Sequence, residues 1–594
     1  PFHPETHEET PMSQHDLVIR NGTIVDGSGD APTVGDVAID GGKISQVGER
    51  AASGHREIDA EGLLVTPGFV DIHSHYDAQA TWDPTLSPAS FHGVTTTVVG
   101  NCGVGFAPVR ESDRQALIDL MEGVEDIPGA AMHEGIEWEW ETFPQFMDAL
   151  DRRSYALDFG VQVPHCAVRV YAMGERGMRN EPATKTDIEI MAAIVREGIE
   201  AGALGFSTSR TELHRTLEGE AVPGTFAEQD ELFAIANVLG ELGTGVFQMA
   251  ITHREVPGEL RWVKELARSS GRTVTFNLQQ IDENPALYKE SLKLLDEARA
   301  EGITNLRGQF SGRPVGILMG WQTSVHPFIG HPTYQAIAKL PIAERLSQLR
   351  KPEVRAQMVA GDTIRMDGLS DKIPVPPAFL RFLLNAHFKM YPMGVRSDYE
   401  PDPSTSIKGV SERTGTKPAE LIYDALMDQD GAGLIYFPLF GYADGNLDAI
   451  LETMRHPQTG LSLADGGAHC GTICDGGTPT FMLMHWVRDR VRGEKLPLEF
   501  VVRRQTRDTA VQYGLRDRGL LAPGMKADLN VIDFENLGLT HPEVRFDLPA
   551  NGKRLFQAAR GYRATVVSGE VTLENDELTG ALPGRLIRGE REAT

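Results

Sequence analysis

The chain has 594 residues, 41% of them hydrophobic and 24% charged, with a formal net charge of −27. That composition excludes wholesale disorder and leaves room for a large core in more than one domain. The negative surface repels phosphate backbones, so nucleic acid is not an expected partner.

In chain order, residues 1–14 read as a tail. The stretch PFHPETHEETP precedes Met12, and MSQHDLVIRNG reads as a more natural start, so 1–11 are taken as left over from cloning and set aside. Over 16–49, DLVIRNGTIVDGSG and VGDVAIDGGKISQVGE carry Asn-Gly, Asp-Gly and Gly-Gly pairs between β-type runs, the punctuation of hairpins. From residue 68, short apolar runs alternate with helical patterns. Strands are expected at 68–73, 94–100, 157–164, 203–208, 245–251, 273–279, 303–309 and 461–465. Two helices stand out. One covers 186–201 with a capping box of Thr186 and Glu189; the other covers 284–301 with Asn284 as N-cap and Pro285 at the first helical position.

Eight strands alternating with helices predict an α/β fold, a (β/α)8 TIM-like barrel over 67–514. Roughly 150 residues separate the seventh and eighth strands, which predicts a mostly helical insertion at about 311–460. After residue 515 the β texture returns in GLLAPGMKADLNVIDF and GYRATVVSGEVTLEND. Residues 15–66 and 515–594 are therefore expected to form one small β-sandwich domain from both chain ends.

The four cysteines, Cys102, Cys166, Cys470 and Cys474, make neither a paired CxxC array nor a disulfide scaffold, which fits a reducing cytoplasm. No apolar run is long enough to span a bilayer and no basic-then-apolar leader is seen, so no membrane partner is expected.

The stretch FVDIHSHYDAQ places His73 and His75 two residues apart where an apolar run stops. In a strand, i and i+2 share a face, and two neutral imidazoles on one face can share a metal ion. Barrel enzymes build their sites at the C-terminal strand ends. There the second strand ends in Gly100-Asn101-Cys102-Gly103, and the eighth in Asp465 before Gly466-Gly467-Ala468-His469. Taken singly, Cys102 reads as a small buried hydrophobe and Asp465 as a turn residue. Taken together, two imidazoles, a thiol and a carboxylate at one mouth predict a metal centre.

The segments TPGFVDIHSHYD, GVTTTVVGNCGVGFAP, GALGFSTSR and LADGGAHC resemble the amidohydrolase superfamily, and within it the N-acyl-D-amino-acid deacylase (D-aminoacylase-like) family. The terminal segments DLVIRNGTIVDG and GLLAPGMKADLNVID resemble that family's split β domain. The resemblance implies a zinc-dependent hydrolase of a small-molecule amide. It implies His73, His75 and Cys102 as metal ligands, and Asp465 as both metal ligand and general base/acid. His253, in Ile251-Thr252-His253-Arg254, is similar to the family's strand-five ligand. Strand six departs from the pattern: it reads Val274-Thr275-Phe276-Asn277-Leu278-Gln279, so Asn277 and Gln279 stand where a histidine is expected, and both are weak ligands. One zinc ion is therefore favoured over two, held by His73, His75 and Asp465 or by Cys102, His253 and Asp465.

The favoured substrate is an N-acyl-D-amino acid. A cyclic amide, carbamate or aryl amide is the alternative within the superfamily, and a binding protein on an inactive barrel is the alternative outside it. Arg210 is a candidate for a substrate carboxylate, or else a surface ion pair. His214 and His469 are candidates for lining the pocket and donating to an oxyanion. His165 and Arg313 are weaker candidates. Trp138, Trp140 and the stretch FMLMHWVRDRVRG read as core. A homo-oligomer is left open.

Overall fold

The computed structural model describes residues 15–252, 256–360, 377–461 and 464–589. The expected barrel is present. Its strands are Phe69–Asp71 (β1), Val94–Val99 (β2), Asp158–Pro164 (β3), Gly205–Ser209 (β4), Val246–Ala250 (β5), Val274–Asn277 (β6), Leu306–Phe310 (β7) and Thr459–Leu461 (β8). Neighbours pair in parallel in that order. The ring is joined beyond β8 and β1: Asp465 donates its backbone N–H to the His73 carbonyl (3.2 Å), and His75 donates to that of Gly466 (2.8 Å). β2 to β5 are buried along their whole length, as strands covered on both faces must be. The β-branched run Val94–Val99 suits that setting.

Both singled-out helices form, with different starts. The first is Lys185–Glu200, capped by Thr184. Thr184 accepts from the Asp187 amide and Asp187 accepts from the Thr184 amide, so the capping box is Thr184 with Asp187, not Thr186 with Glu189. The extended backbone of Thr184 permits this earlier start. The second is Leu287–Ala300. Asn284 is not its cap; its carbonyl accepts the Leu287 amide in a preceding turn that also contains Pro285.

Between β7 and β8, helices such as Ile342–Leu349 and Pro418–Gly431 surround a three-stranded antiparallel sheet of Val315–Met319, Tyr391–Met393 and Leu434–Phe440. The sheet adds to the helical content read from sequence. This region has its own core, with Trp321, Phe328, Tyr423 and Phe437 buried in it. A buried ion pair pins it to the barrel side: Glu400 accepts from His485 at 2.7 Å and from Arg490 at 3.1 Å.

The two chain ends meet in one nine-stranded sheet, where Leu64–Pro67 pairs antiparallel with Leu529–Ile532. Its apolar core draws on both ends, including Ile19, Ile39, Val65, Leu529 and Val566. The last strand departs from the expected boundary: Leu586–Ile587 returns to the barrel and runs parallel with β3. Among the described residues, no helix is long and apolar enough to cross a membrane.

Candidate metal centre

His73 and His75 follow β1 directly and are almost fully buried. Their Nε2 atoms face the same carboxylate: Asp465 Oδ1 lies 3.4 Å from His73 Nε2 and 3.7 Å from His75 Nε2. Cys102 Sγ lies 3.3 Å from His73 Nε2. One donor atom each from His73, His75 and Cys102 fall within 4.8 Å of one another. Donors held about 2.0–2.3 Å from a tetrahedral zinc ion are about 3.3–3.8 Å apart, and the 3.3, 3.4 and 3.7 Å separations fall in that range. Asp465 reaches the group through the two imidazoles and is the most exposed of the four, at 16%.

Behind the rings, His73 Nδ1 has a hydrogen-bond partner and His75 Nδ1 has a carboxyl nearby without a hydrogen bond. His73 Nδ1 meets Gln309 Oε1 at 3.1 Å, and His75 Nδ1 lies 3.4 Å from Glu125 Oε1. Metal-binding histidines characteristically use the second nitrogen in this way, which fixes tautomer and ring orientation. Burial pushes both imidazoles below the ordinary range, His75 well below it. They are therefore neutral, the form that binds a cation. Burial, and then the Glu125 and Asp465 carboxyls, push the Cys102 thiol well up. A coordinated cation reverses that balance, because its charge deprotonates a ligating thiol.

The Cys102 loop is built by its neighbours. Cys102 has φ 55°, between Gly100 and Gly103 at φ 76° each. A Cβ on Gly100 would meet the Gln162 carbonyl oxygen at 2.4 Å, so only glycine fits. Gln248 on β5 accepts the Cys102 amide (2.9 Å), Ser207 on β4 accepts the Gly103 amide (2.9 Å), and Gln162 on β3 donates to Asn101 (2.7 Å). On the other flank of β1, Asp465 takes φ 46° before Gly466, and its carboxylate faces the imidazoles.

These groups form the floor of a cavity of about 520 Å³. His214 and His469 line it, as do Asn277 and Gln279. His214 bonds Ser209 Oγ at 2.9 Å, and His469 Nε2 lies 3.5 Å from Glu125 Oε2. Asn277 accepts from Gln248 at 3.4 Å. His253 lies outside the described residues.

Arg210 departs from the expected role. Its guanidinium forks onto Glu259 (2.7 and 3.2 Å) and the Ala227 carbonyl, and it does not line the cavity. Arg313 is likewise spent on Asp475 and stacked over Tyr399. His165 is buried between Thr208 and Glu231. Trp140 and Trp486 are core, each donating its indole N–H to a backbone carbonyl.

Glu125 and Lys553 are among the lining residues not anticipated from sequence. Glu125 ends the helix Arg114–Glu125, fully buried, and burial drives its carboxyl well above the usual range. An acid at a helix C-terminus opposes the helix dipole. Its place on the apolar face, one turn after Met121 and two after Leu117, was the available signal. Among the described residues, Lys553 is the one lysine or arginine lining the cavity.

Residues 56–370 and 410–573 match the amidohydrolase family. D-aminoacylase of Alcaligenes xylosoxydans xylosoxydans is 25% identical over 592 residues, 96% of this chain and 97% of the relative. N-acyl-D-aspartate deacylase of the same organism is 26% identical over 600 residues, 98% and 96% respectively. Among solved structures, a D-aminoacylase studied for its binuclear metal center superposes with TM-score 0.63 at 21% identity, covering 97% of this chain and all of the other. N-acyl-D-glutamate deacylase from Bordetella bronchiseptica, complexed with zinc and a phosphonate inhibitor, gives TM-score 0.62 at 22% identity over the same shares. The chain belongs to the amidohydrolase family and is a hydrolase acting on carbon–nitrogen bonds.

Proposed function

We propose that the protein is a deacylase of N-acyl-D-amino acids that works with one zinc ion held by His73, His75 and Cys102. The convergence of those three donors, with Asp465 beside them on the cavity side, carries the reading. This set takes members from both groupings expected from sequence and leaves out His253. Three protein ligands with a free position is a recognised catalytic zinc arrangement. A bound zinc ion supplies Lewis acidity toward the amide carbonyl and makes water a nucleophile near neutral pH.

The protein's own groups do the rest. The Asp465 carboxylate accepts the proton of the attacking water and passes it to the departing amine nitrogen. His469 and His214, lining the same cavity, are placed to donate to the developing oxyanion. Lys553 supplies a positive charge for the substrate carboxylate, the task the sequence suggested for Arg210. Gln309 holds the His73 imidazole in place, and the Glu125 carboxyl lies 3.4 Å behind that of His75. Four free, buried cysteines fit a reducing cytoplasm.

The test is a panel assayed with the zinc-loaded protein: N-acetyl-D-amino acids, their L-enantiomers, and cyclic amides such as hydantoins. Release of amine from the D-series above the others is expected. Preferential opening of cyclic amides would replace the reading with a cyclic amidase, and no turnover across the panel would sink it.

A further inference from the structure

A second cavity, of about 650 Å³, adjoins the metal-facing one. Thr211, Leu213, Phe379, Leu439 and Phe440 line both, so the two adjoin and together outline a route away from the metal centre. The outer part is bounded by Phe382 and Phe388, on the helix Pro377–Asn385 and the turn after it. These large apolar side chains are 37% and 50% exposed, and their rings stand 6.4 Å apart. Phe382 also meets Phe437 of the inserted sheet at 6.1 Å. Of the charged residues that also line the outer part, Glu212, Arg215, Asp282 and Glu283, Asp282 is paired with Lys389 at 2.7 Å. Exposed aromatic pairs at the mouth of a catalytic cavity need an apolar occupant to cover them.

We propose that this route receives an extended apolar chain of the substrate, which leaves the metal centre past Leu439 and Phe440 and ends against Phe382 and Phe388. The inference rests on the deacylase reading and narrows it to acyl amides with long hydrocarbon chains. The chain belongs either to the acyl group or to the amino-acid side chain, and two substrate series distinguish these. Each buried methylene strengthens binding roughly fourfold, so length has a large effect where the route is used.

The experiment compares kcat/KM for N-acetyl-, N-hexanoyl- and N-decanoyl-D-alanine, and for N-acetyl-D-alanine against N-acetyl-D-2-aminodecanoate. One series is expected to rise by at least about tenfold with length. Phe388→Asp is expected to cut the long-to-short ratio by about tenfold. Calorimetric binding of decanoate against acetate to the zinc-loaded protein gives a readout independent of turnover, with decanoate binding tighter in the wild type and losing that advantage in Phe388→Asp. Flat or falling length series, with decanoate no tighter than acetate, would overturn the proposal and leave the deacylase reading in place. An unchanged ratio in Phe388→Asp would also overturn it. Absence of turnover together with tight, Phe388-dependent decanoate binding would instead sink the deacylase reading and keep the apolar route.

Discussion

The two halves of the barrel mouth differ in chemistry. On the side of β1, β2 and the segment after β8 stand His73, His75, Cys102 and Asp465, all strong ligand types. On the side of β5 and β6 stand Gln248, Asn277 and Gln279, neutral carboxamides. The amides are not idle: Gln248 accepts the Cys102 amide and donates to Asn277. One half therefore offers imidazole, thiol and carboxylate donors to an ion, and the other half holds the Cys102 loop in place. The lesson is that a strand which lacks a ligand can still belong to the metal site as its support.

The comparison can be broken most severely at Asp465. Asp465→Asn is expected to lower kcat by about 10²–10⁴-fold while zinc content stays near that of the wild type. Loss of zinc in parallel with activity would make Asp465 a principal ligand instead. Glu125→Gln keeps the shape but exchanges the carboxyl 3.4 Å behind His75 Nδ1 for a carboxamide; a zinc affinity weaker by about 10–100-fold is expected, measured by chelator competition. Gln248→Leu tests the supporting half. It strands the Cys102 amide in a buried site, and a stability loss of about 1–3 kcal/mol in denaturant unfolding is expected. An unaltered midpoint would show that the loop holds itself.

The smallest effect concerns the inserted region rather than the mouth. Burial alone would push the Glu400 carboxyl up; the hydrogen bond from His485 and the Arg490 guanidinium outweigh it and hold it at about 2. The unfolded chain then binds the extra proton first, so this stabilisation is present above about pH 4.5 and is lost as pH falls toward 2. Glu400→Gln should be less stable at neutral pH and lose less on acidification over that window, as followed by thermal unfolding.

Much of this was legible in the sequence because strands in a buried parallel barrel are short apolar runs, and ligands sit where those runs stop. His73, His75, Cys102 and Asp465 all obey that rule. Glu125 does not: it lies on a helix between two strands, and only folding brings it behind His75. Arg210 was ambiguous because its partner Glu259 lies beyond the next strand, and nothing local distinguishes a guanidinium aimed at substrate from one aimed at a helix. The caps moved for a similar reason. Thr184 and Thr186 offer comparable local chemistry, and the observed helix uses Thr184. The closing strand Leu586–Ile587 carries too few residues for any pattern to assign it to the barrel.

The most direct test is metal content per chain after zinc saturation and removal of loose ions, measured by mass spectrometry for the wild type, His253→Ala and His73→Ala/His75→Ala, with X-ray absorption to detect a sulfur ligand. The account predicts about one zinc in the wild type and in His253→Ala, with one sulfur neighbour, and none in the double variant. Two ions in the wild type falling to one in His253→Ala, or a single ion with no sulfur neighbour, would contradict it.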